Sequence, residues 1–151
     1  MSPQKGGIFY LYMRTKIIII TSLLTAILLA ILHNLAIGLG WYFLYSWVDI
    51  PIHALGGFSV ALLIYAVMEK GMLSNQIVGM ESMRIWSLFV ITFGTLLVSI
   101  IWELLELVFY LTNDAGFSQE TLSDIIFGIV GSLAAWVFIQ LLPVDKINSS
   151  N

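Results

Sequence analysis

Of the 151 residues, 60% are hydrophobic and only 10% charged, whereas a soluble domain carries about a quarter charged residues. Such a chain lacks the polar surface to face water on all sides, and residues 1–151 have room for one compact unit only. With no cysteine there are no disulfides, thiolate metal sites or thiol nucleophiles, and the net charge of −3 comes with no basic patch suited to nucleic acid.

Four apolar stretches approach or exceed the roughly 20 residues that a helix needs to cross a bilayer. The first spans 16–38, from Lys16 to Gly38, and opens on the run Ile17 to Ile20. It is longer than the roughly 7–15-residue core of a signal peptide, and no clear small-x-small cleavage site follows it. We therefore read it as a retained helix. The second, 51–68, begins at Pro51 and ends near Met68. The third, 85–111, would be about 40 Å long at about 1.5 Å per residue, so it must tilt or project from the membrane. The fourth, 122–142, stops at Pro143. The predicted fold class is all-α: a polytopic membrane protein built as a bundle of four transmembrane helices.

Lysine and arginine cluster on the cytoplasmic side of membrane proteins. Lys5, Arg14 and Lys16 precede the first helix, Lys70 and Arg84 lie between the second and third, and Lys146 follows the fourth. With this helix count all 6 basic residues fall on one face, which predicts an N-in, C-in topology. Aromatic side chains prefer the headgroup layer. Trp41, Tyr42, Phe43, Tyr45 and Trp47 crowd the first outer connector and Tyr110 stands at the outer end of the third helix, while Phe9, Tyr10, Tyr12 and Trp86 stand at the inner side. Residues 39–48 are expected to lie along the outer interface.

Ionisable residues within membrane helices are costly and mark candidate functional sites. Asp49 and His53 stand at the outer start of the second helix, Glu103 and Glu106 in the outer half of the third, and Asp124 at the outer start of the fourth. His33 stands in the outer half of the first. The topology, argued without these residues, gathers them all near one face. Each also has a structural explanation. Asp49 ahead of Pro51 suits a helix N-terminus, and Thr121-Leu-Ser-Asp124 resembles a capping box. His33 with Asn34 suits packing or an interhelical hydrogen bond. Glu103 and Glu106 lie too deep for capping and, at i, i+3, project from nearly one face. Their charge calls for protonation, a bound cation, enclosed water, a partner such as His53, or a hydrogen-bonded carboxyl pair joining helices. Gly56, Gly57, Gly128, Gly131 and Ser132 remove side-chain bulk, so the second, third and fourth helices are expected to pack closely around the acids.

The motifs Asp49-Ile-Pro-Ile-His53 with Gly56-Gly57, Trp102-Glu103-Leu-Leu-Glu106, and Glu120-Thr121-Leu-Ser-Asp124 leading to Gly131-Ser132 resemble those of VanZ-like and YjdF-like small membrane proteins. The resemblance covers roughly residues 45–135. The YjdF-like pattern is the closer, because VanZ-like chains tend to carry Gln where Glu106 stands and often Asn at Gly128. VanZ-like proteins are associated with glycopeptide-antibiotic resistance, and these departures speak against that role.

The favoured expectation is a binding or accessory protein of the cytoplasmic (inner) cell membrane. Its candidate polar site of Asp49, His53, Glu103, Glu106 and Asp124 would take a cation, or a cationic or hydroxyl-bearing part of a lipid or envelope molecule. Its partners are the lipid bilayer and that ligand, with no nucleic acid. One alternative is an enzyme acting on a lipid-linked substrate, using a divalent metal on imidazole and carboxylates or a glutamate as general acid or base. Another is a proton or ion carrier. The latter is disfavoured because the inner halves of the helices show no ionisable relay.

Overall fold

A computed structural model describes the backbone of residues 3–75, 80–110 and 117–142, with the side chains of 12–70, 85–108 and 121–142. The described elements are all helical: α1 (Pro3–Gly38), the single turn α2 (Trp41–Leu44), α3 (Asp49–Asn75), α4 (Met80–Tyr110) and α5 (Phe117–Leu141). Four segments are long and apolar enough to cross a membrane: Tyr12–Gly38, Asp49–Lys70, Ile85–Val108 and Thr121–Leu141. The expected all-α fold with four membrane-length helices holds. Several helices run past their apolar stretches, because backbone hydrogen bonding continues into polar sequence that still favours helix. The side chains of Lys5, Phe9, Tyr10, Arg84, Tyr110 and Glu120, and all of Lys146, lie outside the described residues.

Large apolar side chains point outward from the helices; Leu24 is 61% and Phe93 62% exposed. Facing water, such a surface would aggregate; facing hydrocarbon, it is solvated. Apolar burial then cannot drive helix association, which rests on close packing and interhelical hydrogen bonds. The sequence supplies both. Helices α3 and α5 make the most extensive contact. A methyl group on Gly57 would overlap the Gly128 carbonyl oxygen, and one on Gly131 the Ala54 carbonyl oxygen. The expectation of close approach at these glycines is met. Helix α1 lies against α3, where Ser22 and Ser59 each donate to the other's backbone carbonyl at 2.9 Å. Helix α4 packs on α5 and α3.

All four long helices contribute to a core of Ile18, Leu62, Ile91, Ala135 and Ile139, each fully buried. A smaller cluster of Ala36, Val48 and Ile52 lies beneath α2, packed against Leu29, Trp41 and Tyr42. The chain turns from α1 into α2 at Gly40, whose φ of 66° lies in the left-handed region open to glycine. In α2, Phe43 is 97% exposed. The end of the bundle bearing α2 and the start of α3 is called here the acidic end, and the opposite one the basic end.

Candidate functional site

At the acidic end, side chains from three helices converge. Asp49 is the first residue of α3, with Pro51 in the same turn, where its missing N–H leaves no intrahelical bond broken. One turn later His53 points to the same side: its Nε2 lies 3.3 Å from Asp49 Oδ1. From α5, Asp124 Oδ2 comes to 3.7 Å of that same nitrogen. One ligand atom from each of the three residues lies within 4.8 Å of the others, a grouping that can hold a metal ion. Side-chain exposure falls from 36% at Asp49 to 13% at His53 and 9% at Asp124, so the cluster is reached past Asp49.

The close approach of α3 and α5 explains why these residues meet. Gly57 follows His53 by one turn and Gly128 follows Asp124 by one turn, and the two glycines are in backbone contact. The capping-box reading of Asp124 is corrected: α5 begins at Phe117, so Thr121 and Asp124 are interior helical residues. Helix starting one turn ahead of the apolar stretch removes Asp124 from any terminus to be capped.

Glu103 of α4 is buried beside the cluster, within electrostatic range of both His53 and Asp124. Thr121 adjoins it, with its hydroxyl oxygen buried. Glu106, by contrast, turns toward the surface and accepts a 2.8 Å hydrogen bond from the Trp102 indole. The expectation that both glutamates share one face is thus only half met: three residues of helix rotate the second carboxyl by about 60°, from the interior to the rim. His33 is separate again. Its Nδ1 lies 2.7 Å from the Tyr42 hydroxyl, an attachment of α2 to α1 that accords with a structural role.

Residues 6–143 match the family described as predicted membrane protein (DUF2238). The chain belongs to this family. It is the YjdF-like family, the closer of the two resemblances carried by the motifs. No curated protein and no solved structure matches the chain. Every residue of the acid–histidine cluster falls within the matched part of this DUF2238 chain.

One polar network of the DUF2238 chain was missed by the sequence reading. At the basic end, buried Glu69 accepts a 2.7 Å hydrogen bond from Thr15 and lies 3.6 Å from the Arg14 guanidinium. Arg14 also donates to the Tyr65 hydroxyl at 3.0 Å and to the Ile139 carbonyl at 3.3 Å, so α1, α3 and α5 are tied together. The reading that the inner halves hold no ionisable relay is corrected to that extent. The spacing of Tyr65 and Glu69, one turn apart at the end of an apolar stretch, was the available signal. Between the two polar ends stands the apolar core of Ile18, Leu62, Ile91 and Ile139.

Proposed function

We propose that this protein is a binding or accessory protein of the cytoplasmic (inner) cell membrane, with both ends in the cytoplasm, whose acidic-end cluster receives a positively charged ligand from the non-cytoplasmic side. The observation that carries the reading is the convergence of Asp49 and Asp124 on one nitrogen of His53, with Glu103 buried beside them. Apart from His53 itself, no basic side chain among the described residues is seen to pair with these acids, and by sequence all 6 lysines and arginines are expected at the opposite end. Carboxylates gathered in a low-dielectric setting repel one another, and a cation relieves that repulsion. The surplus of carboxylates over the one imidazole argues against direct capture of an anionic phosphate. A carrier role is disfavoured by the apolar core, which interrupts any chain of ionisable groups between the two ends.

Thermal unfolding of the purified, metal-free protein tests the reading. Divalent metal salts, ethanolamine and spermidine are added separately to the wild type and to Asp124→Asn. At least one cation should raise the wild-type midpoint by several degrees and leave the variant unmoved. Equal responses in the two proteins, or none in either, would remove the basis for the reading.

A further inference from the structure

We infer that the cation is a single divalent metal ion of the zinc type, held by His53 Nε2 and one carboxylate oxygen each from Asp49 and Asp124. The inference rests on the cation-binding reading above and narrows it to one chemistry.

Distances come first. Ligand atoms bound tetrahedrally to zinc at roughly 2.0–2.2 Å stand about 3.3–3.6 Å from one another. The two carboxylate oxygens stand 3.3 and 3.7 Å from the imidazole nitrogen. A charge-assisted N–H···O bond would instead close to about 2.7–2.9 Å. Both acids also address the same nitrogen. An imidazole nitrogen offers one proton or one lone pair, so a hydrogen bond satisfies one acid and leaves the other beside it unserved. A metal ion in the middle serves all three.

The scaffold supports the same conclusion. Asp49 and His53 stand four residues apart on one helical face, the spacing with which a single helix supplies two zinc ligands. The third ligand comes from α5, whose position against α3 is set by the Gly57–Gly128 and Gly131–Ala54 backbone contacts one and two turns below. Two ligands fixed by one helix and a third by a close helix contact give a preorganised set. Imidazole with carboxylate selects zinc and its neighbours over magnesium and calcium, which prefer all-oxygen shells of higher coordination number.

Three protein ligands leave one coordination position for water. Glu103 and the neighbouring Thr121 hydroxyl, whose oxygen is buried, are the residues that can orient it. On this account Glu103 is a positioning residue, not a ligand.

The test is metal analysis of protein freed of any affinity tag, chelated and reloaded with Zn²⁺ or Co²⁺. The wild type should retain about one equivalent after desalting, and its Co²⁺ form should show the intense visible bands of four-coordinate cobalt. His53→Ala and Asp124→Asn should retain no stoichiometric metal, and Glu103→Gln should bind about tenfold to a hundredfold more weakly. His33→Ala, which alters the other histidine, should bind as the wild type does. That control, with circular dichroism of each variant, separates ligand loss from misfolding. Equal metal retention by wild type and His53→Ala, or a six-coordinate Co²⁺ spectrum, would overturn the zinc site. Stabilisation of the wild type by amines with no stoichiometric metal would overturn it too, while leaving the cation-binding reading standing.

Discussion

Gly57 of α3 lies against the carbonyl of Gly128 on α5, and each glycine stands one turn below a residue of the acidic-end cluster, His53 and Asp124 respectively. Helix packing and site geometry are therefore one arrangement. Because α3 and α5 run in the same direction, the contact that brings their backbones together also sets the separation of the two side chains above it.

The first prediction concerns that contact. Gly57→Val forces α3 and α5 apart, and overpacking of this kind costs about 1–3 kcal/mol. The unfolding midpoint should fall, and the cation-induced rise in it should shrink. Gly56→Ala is the control, since its new methyl would meet only Leu29 at 3.6 Å, an ordinary contact. If Gly57→Val matches the wild type in both respects, the site does not depend on the close approach of these helices.

The second concerns the basic end. Arg14→Leu leaves the Glu69 carboxylate buried without its cation, and breaking a buried pair from one side costs about 3–5 kcal/mol. Arg14→Leu/Glu69→Leu should recover much of that loss. A double variant as unstable as the single one would show that Arg14 acts through Tyr65 and the Ile139 carbonyl instead. Either variant should keep the cation response of the acidic end, from which the apolar core separates it.

A third prediction follows from the attachment of α2. Tyr42→Phe removes the hydroxyl that meets His33 at 2.7 Å, a loss of about 0.5–1.5 kcal/mol. It should increase amide exchange across Trp41–Leu44 and leave cation binding unchanged. Altered binding would mean that α2 belongs to the site.

Orientation is tested with single cysteines, which the absence of native ones makes simple. A membrane-impermeant maleimide applied to intact spheroplasts should label Ser46→Cys, and Ser74→Cys only after lysis. The reverse pattern would turn the acidic cluster toward the cytoplasm.

Much of this molecule could be read before its fold was known, and the parts that could not share a cause. The spans were legible because hydrocarbon demands long apolar runs, and Asp49 with His53 because one helical turn fixes their relation. Thr121 and Asp124 resemble a cap in sequence but lie inside α5, since composition marks where a helix enters lipid and not where its hydrogen bonding begins. Glu103 and Glu106 separated into interior and rim because the orientation of α4 about its own axis is set by its neighbours. Arg14 was counted only as a topological charge. Its pairing with Glu69 joins different helices, and no local pattern encodes such a contact.

The central claim is that the acidic end is organised to hold a cation and not merely to join helices. Its most direct test compares the unfolding midpoints of wild type and Asp49→Asn/Asp124→Asn with and without Zn²⁺. Without metal, the neutralised variant should equal or exceed the wild type, because repulsion between the acids has been removed. Saturating metal should reverse that order by stabilising the wild type alone. A variant that is less stable under both conditions, by the same margin, would contradict the account and leave the cluster as a helix-joining contact.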